Sequence, residues 1–360
     1  MARKNMGKVK RYRRSFYSGS QKAKRIAGMA LGLAALFLAG WLIGPAVIDF
    51  GTSTWYRLKR GGGAASSQSQ PSQSVSQPAA SAAPQPTPAP TAQPAAALGQ
   101  GSWAFVSISS LGSAEQAAET ARTLAGQGVT YAVVPYKDSQ GYVYCQSGVE
   151  TARSAISATT FDAGAAQALR QAGITPVAAI CAFRDPLAPS ADRSLAVLYQ
   201  DTEYFWLDAS RDAGGKPWLN PYAPGAADYI SALMDEARSL GFEQILLSGV
   251  QFPGAPGQEL ANFGDTAGVS MGQRLGQVLA AWQQSGVCWV EYPLEQLAAG
   301  ADSPQLTVPV EQLGVENLMI RADDALSEEQ QLQLQAVVQA AKAAGTANVA
   351  LVQGGTVTLL

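Results

Sequence analysis

Eight short apolar runs in residues 101–360 constrain the fold most, because helical patterns separate almost all of them. Strands that alternate with helices pair in parallel through right-handed crossovers. Eight such strands predict a closed (β/α)8 TIM barrel, and an open doubly wound sheet is the structural alternative. The predicted strands are residues 103–108, 131–136, 176–183, 204–207, 245–250, 287–292, 318–320 and 349–352.

Seven helical patterns lie between or beside these runs. Two of them open with the spacing of a capping box, Ser113 with Gln116 and Ser327 with Gln330. The others are residues 162–173, a segment after Ser190, a helix that contains Tyr229 and stops at Gly241, residues 275–282 and a short pattern at 308–313. No G-x-G-x-x-G opens the first unit, which disfavours nucleotide binding.

The N-terminal region carries a basic tail and a long uncharged segment. Residues 1–25 hold ten Lys or Arg and no acid, and residues 26–48 are 23 residues without charge. Such a segment spans a bilayer as a helix, whereas a secretory signal peptide, the competing interpretation, has a shorter apolar core and a cleavage site. The length favours an uncleaved signal anchor in the lipid bilayer. The basic tail predicts a cytoplasmic N-terminus and an extracellular C-terminal domain.

Residues 49–100 form a juxtamembrane segment and a linker rich in Pro, Ser and Ala. A segment of this composition does not bury enough apolar surface to fold, and its prolines make it a semi-extended spacer. Residues 101–360 are the folded part, with a length typical of one TIM barrel.

Charge and composition exclude several classes of function. Residues 61–360 hold 12 basic and 26 acidic residues, which argues against binding nucleic acid and suits a neutral or cationic ligand, or solubility. The chain has no His, which excludes Ser-His-Asp and Cys-His catalysis. Its three cysteines, Cys145, Cys181 and Cys288, are isolated, so we predict no metal site and no cofactor.

One helix-to-strand unit, residues 216–253, carries a family resemblance. It contains the turn Trp218-Leu219-Asn220-Pro221-Tyr222, a helix with Tyr229, then Gly241-Phe242 and a strand that leads to Phe252-Pro253. This order resembles a bacterial TIM-barrel family named as putative glycoside hydrolases, whose pattern runs W-x-(D/N)-P-Y and later L-G-F-(D/E)-E-I-x-F-D-Y-V-R-F-P. The resemblance covers most of residues 101–360 and implies a carbohydrate-active barrel.

The chain departs from the family pattern where that pattern implies chemistry. The Asp at the end of the fifth strand is replaced by Ser248, the Tyr by Gly249 and the Arg by Gln251. An upstream Arg is Ala179. Ser248 and Gln251 therefore mark a lost catalytic position.

Glycoside hydrolysis uses two carboxyl groups that flank the scissile bond, and in a barrel they come from different strand ends. The candidate catalytic residues are Asp138, Asp185, Asp208 and Glu291. Asp138 and Asp185 resemble the family's Lys-Asp and F-K-D-P segments. The alternative interpretations are a turn residue for Asp138 and Asp185, a turn cap for Asp208 and a solvated loop residue for Glu291.

Aromatic residues near strand ends are the candidate substrate-binding groups. They are Tyr136, Trp218, Tyr222 and Tyr292, of which Trp218 and Tyr222 are expected to form an exposed platform. Arg321 resembles the Arg of the family's I-R-P-W segment, and it is expected to orient a sugar hydroxyl or to pair with a carboxylate.

These observations predict a membrane-anchored cell-surface protein that binds a polysaccharide or cell-wall glycan through a degenerate catalytic site. The first alternative is an active glycoside hydrolase that uses another carboxylate. The second alternative is a structural cell-envelope protein whose barrel contacts another protein.

Overall fold

The computed structural model describes residues 99–254, 256–323 and 325–360. The predicted basic tail, signal anchor and nearly all of the linker lie outside these residues. Within the described ranges, no helix is long and apolar enough to cross a membrane.

The main sheet is a mixed, barrel-like sheet of eight strands. Its order is β1-β2-β3-β5-β7-β8-β9-β10, and every neighbouring pair is parallel except β9 and β10, which are antiparallel. The edge strands β1 and β10 approach each other, with Cα atoms within 8 Å. The strands are β1 (Ser102–Phe105), β2 (Val129–Lys137), β3 (Thr175–Cys181), β5 (Gln244–Ser248), β7 (Cys288–Pro293), β8 (Asn317–Arg321), β9 (Asn348–Gln353) and β10 (Thr356–Leu359).

A second, two-stranded sheet is formed by β4 (Leu198–Tyr199) and β6 (Ala261–Asn262), which pair antiparallel. Strand β4 lies in the connection that follows β3, and β6 lies in the connection that follows β5. In a parallel α/β barrel, these connections emerge at the C-terminal ends of the strands. The small sheet is therefore placed on the face where a barrel carries its binding site.

Seven helices lie along the described chain. They are α1 (Ala114–Gly126), α2 (Ala165–Gln171), α3 (Ala188–Ala191), α4 (Pro224–Ser239), α5 (Met271–Gln283), α6 (Leu294–Ala299) and α7 (Glu328–Ala343). Short 3-10 turns occupy Ile108–Leu111, Glu150–Ala155, Arg193–Leu195, Arg211–Ala213, Gln258–Leu260, Gly300–Asp302 and Val310–Gln312.

The helix boundaries follow from their caps. Ser327 with Gln330 forms the predicted capping box, whereas Ser113 makes only one half of the predicted box, in which its side chain accepts a hydrogen bond from the Gln116 N–H. Gly241, with φ +98°, supplies the left-handed residue just after α4.

Two apolar layers stabilise the barrel. Alternate residues of the strands fill its interior, because successive side chains in a strand point to opposite faces. This interior cluster consists of Trp103, Tyr131, Val133, Val177, Leu246, Trp289, Met319, Ala350, Val352 and Val357. The larger cluster packs the outer face of the sheet against the helices and includes Ile245, Leu247, Leu233 and Leu279.

Three predicted elements need correction. Residues 204–207 are not a barrel strand: Trp206 packs with Val197 and Trp218 in a small separate core beside β4 and β6. The eighth strand of the main sheet is β10 instead. The segment around Ser190 forms only the four-residue α3 and a 3-10 turn, and residues 308–313 form only a 3-10 turn, whereas α6 follows β7 without having been predicted.

Candidate functional site

The C-terminal end of the barrel interior encloses a cavity of about 230 Å³. Cys181, Ser248 and Glu291 reach it because each lies two residues after an interior position of β3, β5 or β7. The remaining lining residues are Ser139, Arg184, Gly249, Gln251, Pro293, Gln296 and Arg321. We call this cavity the barrel mouth.

Glu291 and Arg321 form an ion pair within the barrel mouth. Pro293, two residues after Glu291, pairs with Arg321 of β8 in the strand register, so adjacent strands bring the two side chains together. The Glu291 side chain is 6% exposed and the Arg321 side chain is 58% exposed. Arg321 thus covers the carboxylate while its own guanidinium remains open to a ligand.

Ser248 lies beside Glu291 on the neighbouring strand. The register pairs Leu247 with Val290, and the next residues along the two parallel strands are Ser248 and Glu291. Neighbouring strands are about 4.8 Å apart. A carboxylate at position 248 would therefore lie next to that of Glu291, and the two carboxyl groups of retaining glycosidases are about 5 Å apart.

Cys181 lies beside Ser248 on the strand opposite to that of Glu291. The two residues are register partners of β3 and β5. Burial raises the pKa of the Cys181 thiol, and the nearby Lys137 charge opposes that shift. The side chain at position 181 is therefore a neutral thiol at physiological pH.

Lys137 and Asp185 lie beneath the rim of the barrel mouth. Their side chains have no exposed surface, and Lys137 Nζ lies 3.0 Å from Asp185 Oδ2. Lys137 also donates to the Cys181 carbonyl at 2.6 Å, and Asp185 Oδ1 accepts from the backbone N–H groups of Leu187 and Ala188. Asp185 thus fixes the loop after β3 and is closed to solvent.

Asp138 stabilises a turn outside the cavity. Its Oδ1 atom accepts from the Gln140 and Tyr142 N–H groups, each at 2.9 Å, and its Oδ2 atom accepts from the Tyr144 hydroxyl at 2.7 Å. The structure places the neighbouring Ser139, rather than Asp138, in the barrel mouth.

Asp208 lies beside a different cavity of about 480 Å³, which we call the outer cavity. Its Oδ1 atom accepts from the Lys216 N–H at 2.7 Å, and its Oδ2 atom accepts from Trp218 Nε1 at 3.1 Å. Asp208 and Glu291 therefore do not share a cavity in the described part of the chain.

The predicted aromatic residues are mostly buried. Trp218 is only 5% exposed, so it does not form the expected platform, and Tyr222 is half-buried, with its hydroxyl bonded to the Val269 carbonyl. Tyr136 donates to Glu236 of α4, and Tyr292 donates to the Val250 carbonyl. Burial raises the pKa of both buried hydroxyls, with Cys145 and Glu236 adding to the effect at Tyr136.

Exposed aromatic side chains are nevertheless concentrated on this face. Among the described residues, the four exposed aromatic side chains are Phe105, Tyr142, Tyr199 and Tyr204. Phe105 is the last residue of β1, Tyr142 follows β2, and both Tyr199 and Tyr204 lie in the connection after β3.

Part of the barrel resembles a known family. The family described as "Putative glycosyl hydrolase domain" matches residues 104–281. The matched residues, a little under half of the chain, are similar to that family. The matched range begins within β1, extends past β6 and includes Ser248, whereas Glu291 and Arg321 lie beyond it. No curated protein matches the chain.

Several solved structures resemble the chain at low identity. A hypothetical protein from Ruminiclostridium thermocellum is 21% identical with a TM-score of 0.45, over 52% of this chain and 96% of that chain. The GH20 exo-β-N-acetylglucosaminidase from Vibrio harveyi is 13% identical with a TM-score of 0.46, over 69% of this chain but only 40% of its own length. The PgaB glycoside hydrolase domain from Bordetella bronchiseptica is 11% identical with a TM-score of 0.41, over 69% of this chain and 93% of that chain.

Several residues that line the barrel mouth, among them Cys181, Arg184 and Gln296, were not candidate site residues from the sequence. Arg184 lies in the loop after β3, and Gln296 lies in α6, a helix that the sequence did not predict. The alternation of interior residues in β3, from Val177 to Ala179 to Cys181, is the signal that places Cys181 at the barrel mouth.

Proposed function

We propose that the chain is a membrane-anchored cell-surface protein whose barrel binds a glycan and retains a degenerate catalytic site. The observation that carries this proposal is the content of the barrel mouth. Among the described residues that line it, Glu291 is the one carboxylate, and it is paired with Arg321. Hydrolysis by the usual route uses two carboxyl groups.

Ser248 supports the interpretation that the second carboxylate has been lost. It occupies the position beside Glu291 on the neighbouring strand, and retaining glycosidases use a pair of adjacent carboxyl groups. A serine hydroxyl neither carries the charge that stabilises an oxocarbenium ion nor acts as an acid near neutral pH. The barrel, which we infer to be a variant of the (β/α)8 TIM barrel, would then keep its binding surface without its chemistry.

The remaining side chains of the barrel mouth suit sugar hydroxyls. Gln251, Gln296, Ser139 and Arg321 supply both donors and acceptors. The exposed Tyr142 ring, which follows β2 on the same face, offers apolar surface to the C–H side of a sugar ring. The acidic folded domain favours a neutral glycan over an anionic one.

The anchoring part of the proposal is supported by the sequence. Residues 26–48 lack charge, and the basic residues before them favour a cytoplasmic N-terminus. The Pro- and Ser-rich linker would carry the barrel away from the membrane, toward a cell-wall or environmental polysaccharide.

An active hydrolase is the second candidate, and Glu291 is the observation that favours it. A nearly buried carboxylate beside a cavity is the arrangement expected of a catalytic acid. Some glycosidases also replace one protein carboxylate with a group of the substrate. If the protein is an active hydrolase, it should cleave a glycan, and this activity should depend on Glu291.

Binding of the detergent-solubilised full chain to a panel of neutral and anionic polysaccharides tests the proposal. Wild type is expected to bind a neutral polysaccharide, and Arg321→Ala to weaken that binding about 10-fold, as expected for an anchor residue. Arg122→Ala is the matched control, because Arg122 forms an exposed ion pair with Glu119 on α1. Failure of the wild type to bind any polysaccharide would contradict the proposal and favour a protein partner.

A further inference from the structure

The outer cavity is formed by the connections after β3 and β5, on the same face of the barrel as the barrel mouth. Its wall contains Tyr199, Phe205, Trp206, Asp208 and Leu260. Its volume of about 480 Å³ lies within the range of about 300–1,000 Å³ typical of small-molecule sites, whereas the barrel mouth is smaller. A glycan that fills only the barrel mouth would have few contacts, so further binding surface is expected nearby.

Three aromatic rings supply the apolar part of the outer cavity. Trp206 is 2% exposed, and its Nε1 atom donates to the Gly257 carbonyl at 2.9 Å, which fixes the ring. The Arg193 guanidinium lies 4.9 Å from the centroid of the Phe205 ring and covers one of its faces. Tyr199 is 39% exposed at the edge of the cavity.

Asp208 supplies the polar part. A carboxylate has about four lone-pair sites, and the backbone N–H of Lys216 and the indole of Trp218 occupy one site on each oxygen. Asp208 is therefore held rigidly by two hydrogen bonds while each oxygen keeps a site for a ligand hydroxyl. The Trp206 ring and the Asp208 carboxylate are fixed before a ligand arrives, which lowers the entropic cost of binding.

We propose that the outer cavity is a saccharide-binding subsite for a neutral oligosaccharide, separate from the barrel mouth. This inference rests on the proposed glycan-binding function. A sugar ring complements the lining of the outer cavity. Its apolar C–H face can pack against Tyr199 and Phe205, and its hydroxyl groups can donate hydrogen bonds to Asp208. Asp208 is the one carboxylate among the described residues that line the outer cavity, so this cavity by itself lacks the pair of carboxyl groups that glycoside hydrolysis uses.

A second surface cavity extends the subsite. It has a volume of about 680 Å³, shares Leu260 with the outer cavity and is lined in addition by Gln200, Asp201 and Asn262. The Asn262 amide is held by the Gln200 carbonyl at 2.9 Å. Polar surface next to an aromatic cavity accommodates successive units of one chain, so the subsite is expected to favour longer oligosaccharides.

The test compares disaccharide and hexasaccharide binding by the full chain, with cello- and N-acetylchito-oligosaccharides as probes in calorimetry. Tyr199→Ala and Asp208→Asn are each expected to weaken hexasaccharide binding about 10-fold and to change disaccharide binding at the barrel mouth less than about 2-fold. Tyr204→Ala is the matched control, since Tyr204 is an exposed tyrosine of the same connection that does not line the outer cavity.

The outcomes separate this inference from the proposed function. Unchanged hexasaccharide binding by Tyr199→Ala and Asp208→Asn would overturn the subsite and leave glycan binding at the barrel mouth intact. Equal losses for the two probe lengths would overturn the separation of subsite and barrel mouth. Absence of binding by the wild type to either probe length would overturn both proposals.

Discussion

Lys137 and Asp185 form an ion pair, with Nζ 3.0 Å from Oδ2, and neither side chain has exposed surface. The pair joins the end of β2 to the loop after β3, directly beneath the rim of the barrel mouth. Lys137 follows a register irregularity between Pro135 and Lys137, a feature that re-aims a side chain. The ion pair thus holds the loop that carries Arg184 into the cavity.

Replacing Asp185 with Asn should destabilise the fold strongly. The substitution leaves the buried Lys137 charge unpaired, and breaking a buried pair in this way costs about 3–5 kcal/mol. Urea unfolding of Asp185→Asn measures the loss. Glu119→Gln, which breaks an exposed ion pair on α1, is the control and should change stability by less than about 1 kcal/mol. A loss for Asp185→Asn as small as the control would show that the pair does not stabilise the loop.

Gly141 should tolerate no side chain. Its φ is +86°, and an added Cβ would collide with Asp185 Oδ1 and lie 3.0 Å from Leu187 Cγ. Gly128 has a similar φ of +74° with no neighbour within 4 Å of an added Cβ. Gly128→Ala should therefore cost only the left-handed backbone penalty of about 1–2 kcal/mol, and Gly141→Ala should cost more. Equal unfolding free energies for the two variants would contradict the close contact with Asp185.

Stability should fall at alkaline pH. Burial raises the pKa of Cys288 to about 11 and that of Cys145 to about 12, whereas an unfolded cysteine titrates near ~8.5. The folded state keeps these protons after the unfolded state has lost them. The two neutral thiols therefore contribute fully to the free energy of unfolding below about pH 8.5. Above that pH, their contribution declines by about 1.4 kcal/mol per pH unit for each retained proton, until the pH reaches the pKa of the thiol in the folded state.

Urea unfolding at several pH values between about pH 8 and pH 10.5 measures how steeply the free energy of unfolding falls with pH. Cys288→Ala removes one retained proton and should reduce the slope, while Cys181 and Cys145 keep theirs. A slope unchanged in Cys288→Ala would contradict the assignment of this proton to Cys288.

The barrel should fold without the N-terminal region, and its stability should depend on Gly99. Trp103 Nε1 donates to the Gly99 carbonyl at 3.1 Å, and the Gly99 N–H donates to the Tyr131 hydroxyl at 3.0 Å. A chain that starts at residue 99 should unfold in one transition. A chain that starts at residue 101 should be about 1–2 kcal/mol less stable, because it lacks both hydrogen bonds. Two separate transitions would indicate a second folding unit.

Most strands could be predicted because apolar runs, and the glycines that end the preceding helices, are recognised from neighbouring residues alone. The prediction failed at residues 204–207, where an apolar run is buried in a satellite core with Val197 and Trp218 rather than in the barrel. It also missed β10, whose signal was the Gly354-Gly355 turn between β9 and β10. Both glycines have positive φ, as a tight hairpin requires.

The candidate site was predictable where strand register decides position. Ser248, Glu291 and Arg321 are strand-end residues, and all three line the barrel mouth. The roles of the aspartates depend on loop geometry that a pattern does not contain. Asp138 accepts hydrogen bonds from the backbone of its own turn. Asp185 forms a buried ion pair with Lys137 beneath the rim. Asp208 lies in the long loop after β3 and lines the outer cavity.

The central claim is that the barrel binds an oligosaccharide without hydrolysing it. The most direct test measures whether a bound oligosaccharide stays intact. The full chain is incubated with the hexasaccharide it binds, and released sugars are measured in the wild type, Glu291→Gln and Ser248→Asp. The account predicts intact hexasaccharide with the wild type and with Glu291→Gln, and measurable release only with Ser248→Asp, which places a second carboxylate beside Glu291. Sustained release by the wild type that Glu291→Gln abolishes would contradict the account and establish an active hydrolase.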